Sequence, residues 1–440
     1  MKSQITIWID ATDCFNTTNK KRIGERCINL ILIIMCNKKW LNRTEHISLL
    51  AFWAYLFIVP LREIMGDIHS PVRSTLLILM AIYPLLHAWA GEFKTSSMDR
   101  AITAFFLAMT LSTIFSTEIS YSLHCYTKTL VPLIILYFSG SRLITTHNRV
   151  RITAAVIVVS STIVIVSGFL LTDQVTNFSG FRFEGLFDTP TQLGKYLDLI
   201  IPVTIVCFLS EPRWIRFIIF PTIILQAYAL LNTGTRGSII GVTIALSFLI
   251  ALMRRRLLTT IIFVLVILGA SLSFIITHNN FSQRIVNDSS MKERYEIYKA
   301  SWLLIKERPF LGWGYGDSIE KRILKKRGYN WLNEKNIYPP VIHHAHNLFL
   351  QLLIEGGIVA ALAGLWIGIM VGKTGFHLIF VDKDLLTAGF FLGLLALAIH
   401  TLISVPQWIN TNIAMAYIAV ITGVSHYRKR SEPVQSVKKK

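Results

Sequence analysis

The sequence has little charge for its length and many long stretches with none. Only 16% of the 440 residues are charged and 53% are hydrophobic, and the mean hydropathy is +0.53. A soluble protein of this size carries more charge and lacks repeated apolar runs near 20 residues. That is the length a helix needs to cross a hydrocarbon core of about 30 Å. These features exclude a soluble globular enzyme and predict an all-α polytopic membrane protein, in which each helix satisfies its own backbone hydrogen bonds.

Cysteine pairs and internal repeats are also lacking. The five cysteines form no Cys-x-x-Cys pair, and none lies between residues 278 and 349. This argues against a disulfide framework or a zinc site. The apolar segments do not divide into two matching halves, which counts against a secondary transporter. The net charge of +19 does not indicate nucleic-acid binding, because cytoplasmic loops of membrane proteins collect Lys and Arg and no basic soluble domain is present.

The alternation of apolar and polar stretches predicts five regions. They are a basic cytoplasmic tail (1–45), nine transmembrane helices (46–277), one large helical loop (278–349), three further helices (350–425) and a second basic tail (426–440). The twelve predicted spans lie at 46–61, 74–91, 100–117, 126–140, 153–171, 193–209, 215–232, 238–252, 259–277, 350–372, 384–404 and 409–425.

Basic residues mark alternate short loops between these spans. The loops 141–152 and 253–258 carry clusters of Arg, whereas 118–125 and 405–408 carry no Lys or Arg. The positive-inside rule therefore predicts that both termini are cytoplasmic. The segments 172–192, 233–237 and 278–349 then share the outer face, where no ATP or nucleotide sugar is available, so a substrate must arrive already activated.

Two outward segments carry an arginine among helix-breaking residues. Residues 178–191 place Arg182 among aromatic residues, glycines and a proline, which predicts either an ordinary interfacial loop or a strap whose Arg182 contacts an anionic substrate. Residues 232–238 place Arg236 between two spans, and an arginine at a helix centre costs roughly 2.5–3.5 kcal/mol. We favour an anion site beside a helix opening at Ser238 over snorkelling of Arg236 to lipid headgroups.

The large loop holds a predicted helix and a histidine cluster. Residues 291–308 alternate apolar and charged positions as an amphipathic helix. Its Arg294 is either a surface charge paired with a neighbouring glutamate or an anion ligand. His344 and His346 precede Asn347 at the return to the membrane, and a pKa near 6.5 suits histidine to removing a proton from a hydroxyl. A metal site is the less favoured alternative, because no further residues with ligand-like spacing lie nearby.

Two other features carry no chemistry in this interpretation. Asp382-Lys383-Asp384 resembles the Asp-x-Asp element of nucleotide-sugar enzymes, but it falls in a cytoplasmic loop and is interpreted as a solvated charge run. A carrier or channel would hold ionisable residues deep in several spans, and His87 and His400 are the two that we identify there.

Four motifs occur in a fixed order along the chain: Thr235-Arg-Gly-Ser238, Arg294-Tyr-Glu-Ile-Tyr-Lys-Ala-Ser-Trp302, Pro309-Phe-Leu-Gly-Trp-Gly314 and His344-Ala-His-Asn-Leu-Phe-Leu-Gln-Leu-Leu-Ile-Glu-Gly-Gly357. In this order they resemble one known family, the O-antigen ligase/polymerase superfamily of bacterial inner-membrane proteins. The segment from Arg182 to Pro190 also looks like the family's arginine-containing strap.

The resemblance implies transfer of a glycan from undecaprenyl diphosphate at the periplasmic face of the inner membrane, without a metal or cofactor and with inversion. The acceptor is lipid A–core in a ligase, another lipid-linked repeat unit in a polymerase, and a protein hydroxyl in a third branch. We expect His344, His346, Arg236 and Arg294 to be catalytic. The residues expected to bind substrate are Arg182, Arg236, Arg294, Asn347 and Gln351.

Overall fold

A computed structural model describes residues 38–89, 95–171, 176–177, 180–252, 289–316, 318–334, 344–406 and 408–431. Over these residues the chain is helical, apart from turns and a two-residue antiparallel hairpin of β1 (Thr176–Asn177) and β2 (Gly180–Phe181). The helices are α1 (Lys38–Ile58), α2 (Arg62–Met65), α3 (His69–Trp89), α4 (Ser97–Ile114), α5 (Ile119–Cys125), α6 (Val131–Leu143), α7 (His147–Leu171), α8 (Pro190–Ser210), α9 (Arg213–Thr233), α10 (Arg236–Leu252), α11 (Ser289–Glu307), α12 (Ile319–Glu334), α13 (Leu348–Phe380), α14 (Leu385–Thr401) and α15 (Trp408–Ser431).

Eleven of the twelve predicted spans coincide with helices, and the span predicted at 259–277 lies outside the described residues. Six segments of the described chain are long and apolar enough to cross a membrane, and two shorter apolar helices accompany them. The six are Leu41–Trp89, His147–Leu171, Pro190–Ser210, Arg213–Thr233, Leu348–Phe380 and Trp408–Arg428, and the shorter two are Arg236–Leu249 and Leu385–Thr401. The all-helical multi-pass class is therefore confirmed, whereas the count of twelve stays a prediction.

Helix α14 lies at the centre of the bundle. It packs against α8, α10, α13 and α15. A side chain at Gly393 would approach the carbonyl oxygen of Leu199 to 2.6 Å, and one at Gly241 would approach that of Ala396 to 2.5 Å. Small residues at such crossings let helix backbones come close in membranes. The end of α14 thus lies between α8 and α10, the helices that follow the two arginine segments.

Ion pairs between segments join residues that the topology prediction places on the same side. Arg142 pairs with Asp99 at 2.8 Å and Arg149 with Glu45 at 2.6 Å, and all four residues belong to predicted cytoplasmic segments. Arg151 pairs with Glu211 and Arg428 with Asp384 on that same side. On the other side, Lys326 pairs with Glu118 and Arg327 with Glu307.

The interpretation of Asp382-Lys383-Asp384 as a solvated charge run is wrong for its last residue. Asp384 is buried, accepts hydrogen bonds from the Thr387 backbone and hydroxyl as the N-cap of α14, and pairs with Arg428. A capping carboxylate satisfies backbone N–H groups that the first helical turn leaves unpaired. The residue therefore fixes the start of α14 to α15.

The large loop has its own small core, built on the start of α13. The predicted helix at 291–308 is confirmed as α11, and Pro309 follows its end. A second loop helix, α12, was not predicted from the sequence. Apolar side chains of α11, α12, the start of α13 and the segments that join them form one cluster: Ile297, Ala300, Leu304, Ile305, Trp313, Ile319, Ile323, Leu324, Ala345, Leu353, Ile354 and Ala361.

The Pro309–Gly314 motif and the Gly356–Gly357 pair form a single backbone junction. Gly357 has a φ of 64° and kinks α13. There the Ile358 N–H donates to the Pro309 carbonyl at 2.8 Å, and the Ile354 carbonyl instead accepts from the Trp313 N–H at 2.7 Å. The loop backbone thus replaces hydrogen bonds that the helix gives up at the kink.

We expect Gly357→Ala to destabilise the protein more than Gly328→Ala. Both glycines combine a positive φ with a ψ near 180°, a region that essentially glycine alone adopts and that costs other residues roughly 1–3 kcal/mol. A side chain at Gly328 meets nothing within 4 Å, whereas at Gly357 it would lie 2.1 Å from the Phe310 carbonyl oxygen. The Tm of each variant is measured by thermal unfolding in detergent. Equal shifts in Tm would contradict the close junction.

Glu320 in α12 makes stability depend on pH. It is fully buried and neither carboxyl oxygen has a hydrogen-bond partner among the described residues. Burial raises its pKa from 4.5 to about 8. The folded protein therefore keeps a proton that the unfolded chain loses. The free energy of unfolding consequently falls as pH rises from about 4.5 to 8, by at most about 1.4 kcal/mol per pH unit.

Glu320→Gln should remove this contribution and raise Tm at pH 8 more than at pH 5. Glu334→Gln, at an exposed position of the same helix, should leave the pH profile of Tm unchanged. Identical profiles for the wild type and Glu320→Gln would show that the carboxyl does not titrate in this range.

Candidate functional site

The arginine turn, residues 232–238, joins α9 to α10. Gly234 ends α9 in the left-handed region, with a φ of 60°, a conformation that glycine adopts without strain. Helix α10 then begins at Arg236, two residues before the predicted start at Ser238. Arg236 is exposed, while Gly237 and Ser238 are buried. The exposed guanidinium thus lies at the positive end of a helix.

Arg182 is bound to the same turn. Its Nε donates to the Thr233 carbonyl at 2.8 Å, and its Nη2 lies 3.4 Å from Thr235 Oγ1. The next residue, Phe183, donates its N–H to the Asn232 carbonyl and stacks on Phe169 with ring centroids 4.1 Å apart. The strap is therefore fixed across the C-terminal end of α9, where a cation is favourable, so the structure brings the two arginine segments into contact.

A buried polar network lies directly behind the turn. Ser238 Oγ is 3.0 Å from His400 Nδ1, and the same nitrogen is 2.7 Å from Asp198 Oδ2. All three side chains are at most 1% exposed. Lys195, one turn before Asp198 on α8, donates to the Val405 carbonyl. Ionisable groups inside a membrane protein need partners of this kind, so these residues fix the end of α14 to α8 and α10.

Lys195 and Asp198 correct the expectation drawn from the sequence, which identified His87 and His400 alone as ionisable residues within spans. The missed signal was two charges inside the predicted span 193–209. His400 contacts Asp198 and Ser238, and Lys195 donates to the Val405 carbonyl, whereas Asp198 Oδ1 is buried without a hydrogen-bond partner among the described residues.

The histidine loop, residues 344–347, leads into α13. His344 and His346 are half-buried, and their ring centroids lie 4.2 Å apart. His346 has a φ of 50°, a costly conformation for a residue with a side chain, and such strain concentrates at functional sites. His343 lies outside the described residues.

Asn347 and Gln351 both hold this loop in place. The Asn347 side chain caps α13 by accepting from the Leu350 N–H at 3.0 Å and donates to the Leu402 carbonyl at 2.8 Å. Gln351 accepts from the Ala345 N–H at 2.9 Å and donates to Glu355 at 2.8 Å. Their predicted roles in substrate binding stay predictions.

The end of α14 brings the two halves of the predicted site together. His400 contacts the arginine turn through Ser238, and Leu402, two residues later, accepts from Asn347 of the histidine loop. A side chain at Gly237 would also approach His400 Cδ2 to 2.6 Å and Ile403 Cδ1 to 2.9 Å. The motifs before and after the large loop therefore meet at one short segment.

Arg294 is not joined to this arrangement by a contact. It is half-buried in α11, and no hydrogen bond or ion pair connects it to another residue that the structure describes. Of the two neighbouring glutamates that were its expected partners, Glu296 forms no pair with it, and the side chain of Glu293 lies outside the described residues. Its predicted catalytic and anion-binding roles stay predictions.

A cavity of ≈ 820 Å³ opens beside the same segment. Its wall includes Thr401 at the end of α14, Val405 in the segment after it, and Leu348 and Gln351 from the start of α13. Sequence reasoning missed this space, because its lining comes from helices far apart in the chain: α3, α4, α6, α13, α14 and α15 all contribute.

Replacing His400 by Ala should strongly destabilise the protein. It leaves the buried Asp198 carboxyl without this hydrogen-bond partner, and a buried polar group left unsatisfied costs about 1–3 kcal/mol, or more when it is charged. His124→Ala, at an exposed position, is the matched control. In a double-mutant cycle followed by thermal unfolding, the double alanine variant should lose less than the sum of His400→Ala and Asp198→Ala. Additive losses would contradict a shared network.

The comparisons with known proteins agree with the resemblance. The model of the family described as O-Antigen ligase matches residues 221–365, which include the arginine turn, α10, α11, the Pro309–Gly314 junction and the histidine loop. No curated protein matches the chain. The matched family suggests glycosyltransferase-like activity on lipid-linked glycans, and the apolar helices indicate a multi-pass membrane protein. These findings support the assignment of the chain to the O-antigen ligase superfamily.

Proposed function

We propose that the protein is an O-antigen ligase, which transfers a glycan from undecaprenyl diphosphate to lipid A–core in lipopolysaccharide biosynthesis. The observation that carries this proposal is the convergence of the arginine turn and the histidine loop on the end of α14, next to a large amphipathic cavity. Such a site places cations, a proton acceptor and an apolar space for a lipid chain within one region.

The proposed reaction forms one bond and breaks one. His344 or His346 takes the proton of the acceptor hydroxyl, whose oxygen bonds to the anomeric carbon with inversion. The bond from that carbon to the diphosphate oxygen breaks, and undecaprenyl diphosphate leaves with the electron pair. The developing charge needs cations, which Arg236 and Arg294 supply, together with Arg182 as far as its contacts with α9 allow. One well-placed donor of this kind contributes about 3 kcal/mol or more to the transition state.

The site faces the periplasm in this proposal, and both termini are cytoplasmic. The ion pairs support the grouping of the loops, since charged partners must share one side of the membrane. The choice of the periplasmic side rests on the distribution of Lys and Arg among the short loops. The proposal keeps twelve spans, with the ninth at 259–277 and the large loop between spans nine and ten.

Purified protein should transfer a glycan from an undecaprenyl-diphosphate donor to lipid A–core, and substitutions in the site should reduce this transfer. His344→Ala and His346→Ala remove the candidate bases, and general-base catalysis is worth about 10²- to 10⁴-fold. Arg236→Gln removes the exposed cation and should lower the rate by about 10²-fold. The exposed residues His124 and Arg213 provide the matched controls His124→Ala and Arg213→Gln.

The mechanism would be overturned if the Arg236→Gln variant and the double His344→Ala, His346→Ala variant both transferred glycan at the wild-type rate. Offering lipid A–core, lipid-linked repeat units and an acceptor protein separately distinguishes a ligase from a polymerase and from a protein O-oligosaccharyltransferase. We expect transfer to persist in EDTA, and its loss would favour a metal site. Movement of the donor across the membrane without covalent transfer of its glycan would identify a transporter instead.

A further inference from the structure

Lys195 is a buried cation that takes no part in the proposed reaction. It lies in the second turn of α8, is 2% exposed and donates its amino group to the carbonyl of Val405. The acidic residue one turn later, Asp198, pairs with His400. A charge inside a membrane bundle costs free energy, and an uncharged donor can also bond a carbonyl. The lysine therefore indicates a role that bonding one carbonyl does not explain.

The bonded carbonyl belongs to a short segment that contacts both halves of the candidate site. This segment, residues 400–405, contains the last two residues of α14 and the four that follow, and is called the connector below. His400, at its start, contacts Ser238 behind the arginine turn. The carbonyl of Leu402, within it, accepts a hydrogen bond from Asn347 of the histidine loop.

The start of α8 also packs directly on the arginine turn. A side chain at Gly194 would lie 2.5 Å from Ser238 Oγ and 3.2 Å from Thr235 Cβ. Thr235 Oγ1 lies 3.4 Å from the Pro190 carbonyl oxygen. Glycine at such a crossing lets backbones come close. Because Lys195 follows Gly194, consecutive residues of α8 contact the arginine turn and the connector.

The connector is thus fixed at both ends, and the residue that bonds the histidine loop lies between them. Asp198 and Ser238 fix its start through His400, and Lys195 fixes its end. Without the lysine, Leu402 would lie on a segment that these side chains fix at one end only. Catalytic groups must stay within about 0.5 Å of the productive geometry, so this freedom would separate the candidate bases from the arginines.

We propose that Lys195 is a positioning residue for glycosyl transfer, which fixes the connector and so sets the distance between the histidine loop and the arginine turn. The inference rests on the proposed function and adds to it a residue that does not touch substrate. A charged donor bonds a carbonyl more strongly than a neutral one, which accounts for a lysine here. Lys195 and the connector lie outside the stretch 221–365 that the family model matches.

Lys195→Met removes the charge and the donor while keeping a side chain of similar length. We expect kcat of glycan transfer to fall by about 10- to 100-fold, since a displacement of about 1 Å has an effect of this size. KM for donor and acceptor should not change. Tm should not fall, because a costly buried charge is removed. Lys195→Arg keeps a charged donor and should restore most of the rate. Lys373→Met, at an exposed position, is the matched control.

A double-mutant cycle with Asn347→Ala tests whether Lys195 acts through the connector. Asn347→Ala removes the bond between the connector and the histidine loop. In that background Lys195→Met should lower kcat little further, because the contact through which it acts is already lost. Effects on kcat that multiply would contradict this route.

The distance between the two halves can also be measured without any reaction. Spin labels are attached at Asn232→Cys in the arginine turn and Phe349→Cys beside the histidine loop, both exposed positions, in full-length protein without its native cysteines. Pulsed electron paramagnetic resonance in nanodiscs then gives the distribution of label distances. Lys195→Met should shift or broaden this distribution, whereas Lys195→Arg and Lys373→Met should leave it unchanged.

Wild-type kcat or an unchanged distance distribution in Lys195→Met would overturn the inference. Parallel losses of kcat and Tm without rescue by Lys195→Arg would also overturn it, since they would assign the lysine to stability alone. Failure of the proposed function is distinguishable from these results. In that case the wild type transfers no glycan, while the distance measurement still shows whether Lys195 fixes the two halves.

Discussion

The contact of His400 Nδ1 with both Ser238 and Asp198 is the constraint on which the candidate site depends. Polar groups in an apolar bundle have no water to bond, so they must meet one another with good geometry or destabilise the fold. This requirement fixes α8, α10 and α14 relative to one another at one end. Ser238 lies next to the arginine turn. Leu402, two residues after His400, accepts a hydrogen bond from Asn347 of the histidine loop.

The sequence predicts the helices well because a helix that crosses a membrane requires a run of about 20 apolar residues, which is visible in the sequence. It also identifies Arg182, Arg236 and the histidines, which are polar residues where the chain turns. It does not reveal that Asn347 bonds to Leu402, because that contact joins residues 55 positions apart. Lys195 and Asp198 were missed because each is a single charge in a long apolar run. Their structural role depends on His400 of α14 and on the Val405 carbonyl, which the sequence does not place beside them.

Arg62 and Arg73 illustrate a different limit. In the sequence they are ordinary charges of a short outer loop, with no feature that separates them from other loop arginines. Only packing shows that both approach Trp408, more than 300 positions later in the chain, at the edge of an apolar cavity. Tertiary structure, and not local pattern, brings these two charges together.

The exchange of hydrogen bonds at the Gly357 kink also limits how the chain can vary in length. Trp313 bonds to Ile354 and Ile358 to Pro309, so the two backbones are in register like paired strands. One residue inserted or deleted between Pro309 and Trp313, or between Ile354 and Ile358, would shift every later bond and turn Trp313 away from its partners. Tolerance to insertion is therefore low in these two five-residue segments, although they lie in an irregular loop and beside a helix break, where length usually varies most.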